Sequence, residues 1–193
     1  MPRAHLTAAA VIHEAMLLAD RESYDAVTVS AVARSLGVRP ASLYAHVRDR
    51  DALLAGVHQS ALGELGSRLA TELAGRSGRD ALAALADTHR RFATEHPGAW
   101  TALQRPSSEA TARSSEAALV AALISGVVRG YPLPASAVVD AVRLVSATIT
   151  GFVALTDAKA FAHRPQDVGS SWAAAIDALD RALSTWPQEG PSA

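Results

Sequence analysis

The chain contains no cysteine. It therefore has no disulfide framework, no thiolate metal site and no cysteine nucleophile. No apolar run approaches the roughly 20 residues of a membrane span. The first residues, MPRAHLTAAA, also lack the long apolar segment of a signal peptide. From these absences we expect a cytoplasmic protein without a membrane partner.

The sequence also lacks the motifs of common catalytic sites. It has no glycine-rich phosphate loop, no nucleophile elbow and no paired-carboxylate spacing. His89, Glu95 and His96 are residue types that bind metals, but separations of six and seven residues are poor ligand geometry on one helix. A surface or pocket-lining role suits them better. We expect no enzymatic activity, no catalytic residue, no metal and no cofactor.

What the chain has in abundance is alanine and other apolar residues. Hydrophobic residues make up 49% and charged residues 19% of the sequence, a composition typical of packed helical proteins. Its 193 residues suffice for one large domain or for a small domain joined to a larger one. We expect an all-α protein of about nine helices.

The distribution of charge is more informative than its total. The formal net charge is −1, yet the window 34–50 holds four arginines and one acidic residue and is locally +3. These residues are Arg34, Arg39, Arg48, Arg50 and Asp49. Because phosphate affinity depends on where the cations lie, such a patch can bind DNA although the whole chain is almost neutral.

Residues 32–47, VARSLGVRPASLYAHV, hold two short helical patterns that meet at a glycine. Thr28 is a suitable N-cap for the first helix, Gly37 supplies the left-handed residue that ends it, and Pro40 suits the first turn of the second. Apolar positions 32, 33, 36, 43 and 47 join the helices. The face left outside consists of Arg39, Ser42, Tyr44, Ala45 and His46. This pattern predicts a helix-turn-helix whose second helix reads the major groove.

Helical periodicity continues along the chain, interrupted by Gly, Pro and Ser. A first helix follows a Thr7 cap and ends near Glu22, and Asp49 caps a long fourth helix that reaches AGRSG at 74–78. Later helices are predicted at Asp80–Glu95, Trp100–Arg105, Glu109–Arg129, Ala135–Asp157 and Ser171–Trp186. The tail PQEGPSA is predicted to be disordered. We divide the chain into a three-helix N-terminal domain, 1–50, and a C-terminal domain, 51–193.

These motifs resemble the tetracycline-repressor (TetR) family. The resemblance rests on LTAAAVIHEAMLLADRE, on VTVSAVARSLGVRPASLYAHVRDRDALL and on the wholly helical remainder, and its specific part covers about residues 6–54. It implies phosphate contacts from Thr28, Tyr44, His46 and Arg50, of which Arg50 replaces the usual Lys. It implies that Ser30, Arg39, Pro40, Ala41 and Ser42 face bases. Arg48 completes the predicted DNA-binding set.

A second resemblance joins the C-terminal half to the family subgroup with a WHG-like C-terminal domain. It rests on HPGAW at 96–100 and ATITGFVAL at 147–155, where Thr150 replaces the usual His before the Gly. The family implies a homodimer on a palindromic operator, and a small effector held within 51–193 that releases the protein from DNA when it binds.

Apolar and aromatic residues of the later helices can line a cavity for such an effector, although such residues more often form plain core. The candidate lining residues are Phe92, Trp100, Leu103, Leu123, Val127 and Phe152, with His89, Arg143 and Thr150 as polar groups that orient a ligand. A cavity lined in this way selects flat or aliphatic molecules.

The last two predicted helices each carry an apolar stripe with spacings of four and three residues. A stripe alone fits intramolecular core as well as a dimer seam. The family resemblance favours a four-helix dimer interface. Its predicted residues are Val138, Val142, Val145, Ile149, Trp172, Ile176, Leu179 and Leu183.

Together these features predict a DNA-binding transcriptional regulator, specifically a repressor released from its operator by a small apolar ligand. Two other interpretations remain open. The helix-turn-helix can be a packing unit only, or the chain can be a helical protein-interaction or dimerisation module without effector binding. A gel shift on DNA upstream of the protein's own gene separates these interpretations.

Overall fold

A computed structural model of the protein describes residues 6–187; residues 1–5 and 188–193, the latter most of the tail predicted to be disordered, lie outside the described part. The described residues form ten α-helices and no strand, which confirms the all-α prediction with one helix more than expected. The helices are α1 (Ala8–Arg21), α2 (Val29–Ser35), α3 (Pro40–Leu43), α4 (Arg50–Leu73), α5 (Gly78–Glu95), α6 (Pro97–Leu103), α7 (Glu109–Ala112), α8 (Ser115–Arg129), α9 (Val138–Asp157) and α10 (Val168–Ser184). Short 3-10 helices lie at Tyr24–Ala26 and Ala135–Ala137.

Side-chain hydrogen bonds confirm where three helices of the N-terminal region are predicted to begin. The Thr7 hydroxyl accepts from Ala10 N at 3.1 Å and the Thr28 hydroxyl accepts from Ala31 N at 3.1 Å. The Asp49 carboxylate accepts from Ala52 N at 2.8 Å and caps α4. Each side chain satisfies one of the amide groups that a helix start leaves unpaired.

The predicted Glu109–Arg129 helix is wrong, because the chain breaks it into α7 and α8. At the break, Ser114 caps the start of α8, because its hydroxyl accepts a hydrogen bond from Ala117 N at 3.2 Å. The predicted start of the last helix is also too late. The Asp167 carboxylate accepts from Ser170 N at 2.7 Å and begins α10 at Val168.

Helix α6 begins at Pro97, three residues before the predicted start at Trp100. Proline is favourable in a first helical turn because its missing N–H is not needed there. The cap comes from a distant residue: the Asp20 carboxylate of α1 accepts from Gly98 N at 2.8 Å and from Ala99 N at 3.0 Å. A tertiary contact therefore sets where this helix begins.

The chain divides into two compact units. Within the described part of the chain, the first contains residues 6–66 and 92–119, and the second contains residues 67–91 and 120–187. The first unit thus extends beyond the predicted boundary at residue 50. That boundary separates proposed functions rather than compact units, and it stays a prediction.

Within the first unit, α1 packs closely on α6 and on α2. The approach to α6 requires a glycine, because a Cβ atom added to Gly98 would overlap the backbone carbonyl of Ala19. Val11 and Met16 of α1 are also buried. The helix-turn-helix is therefore fixed to α6 through α1.

Within the second unit, α9 and α10 pack against each other, and most of the predicted dimer seam is buried. Six predicted seam residues are only 0–4% exposed: Val145, Ile149, Trp172, Ile176, Leu179 and Leu183. Val138 and Val142 are half-buried. Side chains buried in their own unit have no surface to offer a second copy, so we correct the assignment of these six to intramolecular core.

The described residues include one helix that is long and apolar enough, by length and composition, to cross a membrane: Ala135–Asp157, with mean hydropathy 1.7. The sequence predicts no membrane span, and this segment carries the charged residues Asp140, Arg143 and Asp157. Only 22% of its most apolar window is buried. Helix α9 therefore has apolar side chains that residues 6–187 leave uncovered.

Candidate nucleic-acid interface and ligand cavities

Helices α2 and α3 form the predicted helix-turn-helix. They pack on each other through Val32, Ala33 and Leu43, which are all completely buried, with Val47 just beyond α3. Gly37 between them has φ +66°, the left-handed conformation that its position predicts. Helix α3 is shorter than expected and ends at Leu43, and the chain then turns through His46 to α4.

The predicted base-facing residues are exposed at the start of α2 and around α3. Ser30 lies at the start of α2, and Arg39 is the N-cap of α3. All five predicted base-facing residues are exposed: Ser30, Arg39, Pro40, Ala41 and Ser42. Tyr44 follows with 58% of its surface exposed, and His46 is half-buried. This surface can offer a guanidinium, hydroxyls and an aromatic ring to a nucleic acid.

Three of the predicted phosphate-contacting or DNA-binding residues, Thr28, Arg48 and Arg50, also hold the local fold. The Thr28 hydroxyl caps α2 as an acceptor and keeps its own hydrogen for another partner. Arg48 is 84% exposed at its side chain and pairs with Asp49 at 2.7 Å. The pKa of Asp49 is lowered by the Ala52 N–H and then by Arg48.

Arg50 is the most constrained of the predicted DNA-binding residues. Its Nε donates to the Val27 carbonyl at 2.8 Å and its Nη2 donates to the Asp25 carbonyl at 3.3 Å. These bonds tie the start of α4 to the segment that precedes α2. Arg50 therefore positions the helix-turn-helix, and its phosphate contact stays a prediction.

A polar cluster that the sequence does not predict joins α1 to α2. The Ser35 hydroxyl donates to Glu14 Oε1 at 2.5 Å, and Arg21 Nη2 lies 2.9 Å from the same oxygen. The Ser35 hydrogen bond is the largest cause that lowers the pKa of Glu14. Residues 14 and 35 lie on different helices, so helical periodicity gives no signal for this contact.

Both ends of α6 contact the first helices. At the start, His96 Nδ1 lies 2.9 Å from Asp20 Oδ2, and His96 Nε2 lies 3.3 Å from Glu64 Oε1. Beyond the end, Arg105 lies 3.4 Å from Asp25 Oδ1. Asp20, Glu64 and Arg105 were not predicted as functional residues. They hold α6 against the elements that carry the DNA-binding surface.

The predicted ligand-lining residues do not form one site. His89 and Thr150 line a cavity of about 30 Å³ with Ile124 and Ile149. Leu123 and Val127 line a different space of about 260 Å³. Both cavities lie in the second unit.

The other predicted lining residues have different places. Arg143 is exposed and lies 3.4 Å from Asp140, so we withdraw it as a ligand-orienting group. Phe152 packs against Phe161 and Trp172, with ring centroids 5.2 and 5.0 Å apart. Phe92, Trp100 and Leu103 belong to the first unit, where Phe92 and Trp100 are buried.

His89 is buried beside its small cavity. Its Nδ1 lies 2.8 Å from the Leu85 carbonyl, so Nδ1 carries the hydrogen and donates, and Nε2 is an acceptor. Burial is the largest cause that lowers the pKa of His89, which favours the neutral imidazole. A further space of about 280 Å³ in this unit is polar, with Arg68, Glu72 and Arg91 in its wall.

The possible metal ligands considered from the sequence have other partners. His89 bonds to a backbone carbonyl and His96 lies between two carboxylates. Among residues 6–187, no group of three or more His, Asp or Glu side chains is arranged to hold a metal ion.

Comparison with known proteins relates both halves of the chain to one family. The family described as "Bacterial regulatory proteins, tetR family" matches residues 11–57, and "Tetracyclin repressor-like, C-terminal domain" matches residues 82–179. The uncharacterized HTH-type transcriptional regulator YobS of Bacillus subtilis is 30% identical over 170 residues, which cover 86% of this chain and 87% of YobS. The uncharacterized HTH-type transcriptional regulator Rv0681 of Mycobacterium tuberculosis is 31% identical over 129 residues; the match covers 63% of this chain and 59% of Rv0681.

Solved structures share the fold. A protein of unknown function from Rhodococcus sp. RHA1 has a TM-score of 0.76 at 22% identity, over 96% of this chain and 100% of that one. The TetR family protein ActR of Streptomyces coelicolor, solved in complex with actinorhodin, has a TM-score of 0.70 at 19% identity, over 93% of this chain and 97% of ActR. The helix-turn-helix geometry, the two family matches and the similarity to YobS agree: the chain belongs to the TetR family of DNA-binding transcriptional regulators.

Proposed function

We propose that this regulator is a repressor that binds a palindromic operator as a homodimer in the cytoplasm, has no enzymatic activity, and leaves the operator when a small apolar molecule binds its second unit. The observation that carries the proposal is the exposed polar surface around α3, which has the residue types and the helix-turn-helix setting of a major-groove reader. The function-based division at residue 50 belongs to the same proposal.

The DNA contacts follow from the exposed residues. Arg39 at the N-cap of α3 reaches guanine O6 and N7 in two-point fashion, and Ser42 bonds to a neighbouring base edge. Tyr44, His46 and the arginines of this region bind phosphates and set the register of the helix. Two such helices in a dimer read half-sites about 34 Å apart.

The dimer is supported by the uncovered face of α9. Val139 is 57% exposed, Leu144 38% and Leu155 47%, so this one helix carries three exposed large apolar side chains that a second copy can cover. On α10 four exposed residues are alanines, Ala173, Ala174, Ala178 and Ala182, and the exposed Arg181 lies among them. Small side chains let a second pair of helices approach closely, so a four-helix contact between two copies would cover both faces.

The effector is supported by the cavities of the second unit and by ActR, a TetR family protein solved in complex with actinorhodin. In this mechanism the effector favours a conformation in which the two α3 helices no longer match successive major grooves. Coupling is reciprocal. A ligand that weakens operator binding tenfold binds the operator complex tenfold more weakly than it binds the free protein, and this factor corresponds to a coupling free energy of about 1.4 kcal/mol.

Arg39→Ala is expected to relax sequence preference at one base position of each half-site and to cost about 1–3 kcal/mol on the preferred sequence, because a bidentate contact to guanine is lost. The measurement is selection of DNA from a random pool followed by titration on the selected site. Arg48→Ala is the matched control, since it removes an exposed arginine assigned to no base and should weaken all sequences about equally. Equal losses on selected and random DNA for both variants would contradict the base-reading role of Arg39.

A broad set of small apolar compounds is expected to contain molecules that both raise the melting temperature of the protein and release it from the selected operator. Binding to the folded state stabilises it, and the reciprocal coupling lowers operator affinity. Thermal melting and operator titration are measured on the same compounds. If no compound does either, the second unit is a dimerisation scaffold and the effector part of the proposal is wrong.

A further inference from the structure

The larger apolar space of the second unit is a groove between the α4–α5 turn and α8. We name it the α4–α8 groove. It has a volume of about 260 Å³, and its wall consists of Leu73, Arg76, Ser77, Gly78, Ala81, Ala122, Leu123, Gly126, Val127 and Gly130. The volume is slightly below the range of drug-sized ligand pockets, so a smaller molecule fits it.

The floor of this groove is apolar and unfilled. Leu73, Leu123 and Val127 supply its large side chains, and the other positions on α5 and α8 are Ala or Gly. A Cβ atom added to Gly126 would meet no atom within 4 Å. Gly126 therefore leaves open space in the groove that a larger side chain at this position of α8 would fill.

One cation lies on the wall of the groove. The Arg76 side chain forms no hydrogen bond or ion pair with any residue in the described part of the chain, and it is exposed. The nearby Arg79 differs, because its guanidinium donates twice to Asp177, at 2.6 and 2.9 Å. Arg76 is thus the guanidinium that remains available to an occupant of the groove.

The backbone holds Arg76 in place at the edge of the apolar floor. Gly75 and Gly78 on either side of it have φ +72° and +53°, and Arg76 N donates to the Leu73 carbonyl at 3.1 Å. The two left-handed residues form a tight turn that other residues adopt only with strain. The backbone of Arg76 therefore has a defined conformation beside the apolar side chains of the groove.

We propose that the α4–α8 groove binds a short amphipathic carboxylate, with its apolar body on Leu123 and Val127 and its carboxylate on Arg76. A guanidinium offers two parallel donors that match the two oxygens of a carboxylate, and the Ser77 hydroxyl provides a further donor. The inference rests on the proposed function in one respect, because it identifies this carboxylate as the effector that releases the protein from its operator. It specifies a charged head group where the general proposal specifies only an apolar molecule.

The experiment compares octanoate with octanol, two probes with the same chain length and a different head group. Affinities are measured by calorimetry on the full chain and on the variants Arg76→Gln, Gly126→Leu and Arg129→Gln. Arg129 is the matched control, because it is an exposed arginine of the same unit that does not line the groove. Circular dichroism and light scattering establish that each variant is folded and has the oligomeric state of the parent.

We expect the parent to bind octanoate more tightly than octanol. Arg76→Gln should weaken octanoate binding about tenfold and leave octanol unchanged, because a charge-assisted contact is lost from one probe only. Gly126→Leu should remove binding of both probes, and Arg129→Gln should alter neither. Equal octanoate affinity in the parent and Arg76→Gln would overturn the inference. Loss of the oligomer in folded Gly126→Leu would overturn it too, because a second copy would then be the occupant.

Operator release by octanoate is measured separately on the parent and Arg76→Gln. Release that is lost in Arg76→Gln supports both the groove and the proposed effector mechanism. Arg76-dependent binding without operator release supports the carboxylate site and contradicts its role as the effector site. Release that is unchanged in Arg76→Gln overturns the groove assignment while the repressor function stands.

Discussion

Replacing Gly98 by alanine is expected to lower the free energy of unfolding by about 3 kcal/mol, because α1 and α6 approach too closely for a methyl group. The added Cβ would overlap the backbone carbonyl of Ala19, and backbone atoms cannot turn aside as a side chain can. Relief requires α6 to move away from α1. That movement stretches the hydrogen bonds from Gly98 N and Ala99 N to Asp20, now 2.8 and 3.0 Å long.

Chemical denaturation measures this effect, with Gly126→Ala as the matched control. Gly126 also lies inside a helix, but its added methyl group meets nothing within 4 Å. The control should raise the free energy of unfolding by about 0.5–1 kcal/mol, since alanine has the higher helix propensity. A Gly98→Ala protein as stable as the parent would mean that α1 and α6 do not form the tight contact described above.

The parts of the fold that local chemistry controls were predictable from the sequence. Thr7, Thr28 and Asp49 were expected as caps, and each accepts a hydrogen bond from the first turn of its helix. Gly37 was expected to be left-handed, and its φ is +66°. In each case the signal and its cause lie within four residues of each other, so a pattern in the sequence contains the whole interaction.

The contacts that join helices were not predictable in the same way. Asp20 caps α6 from 78 residues away, and Ser35 reaches Glu14 from 21 residues away. In the sequence, Gly98 after Pro97 indicates only a turn. That the glycine lies inside a helix and allows close packing becomes visible only when α1 is beside it.

The predicted ligand residues illustrate a related limit. Residue type alone predicts the six apolar lining positions, and all six are buried or half-buried. Burial does not place the predicted ligand residues in one cavity. Leu123 and Val127 line the α4–α8 groove, whereas the polar candidates His89 and Thr150 line a smaller space. Arg76, the cation on which the proposed carboxylate site depends, lies in a turn that helical periodicity does not describe.

Ile176→Glu is expected to unfold the second unit, whereas Leu144→Glu should leave it folded and disrupt the dimer. The two substitutions introduce the same charge at positions with opposite burial. Ile176 of α10 is 3% exposed, so a carboxylate there loses its hydration without gaining a partner, at a cost of several kcal/mol. Leu144 is 38% exposed, so a carboxylate introduced at this position stays hydrated in the isolated chain.

The two variants distinguish a residue of the intramolecular core from a residue of the dimer interface. The apolar stripes in the sequence do not make that distinction. Circular dichroism measures folding, light scattering measures the oligomeric state, and titration with the selected operator measures function. Folded monomers that have lost operator affinity are expected for Leu144→Glu, because one α3 helix alone makes too few contacts for specific binding. A dimeric Leu144→Glu protein would place the interface on another surface. A folded, monomeric Ile176→Glu protein would restore the original assignment of the buried stripe to the dimer seam, since the charge could be tolerated only if separation of the copies exposed it to water.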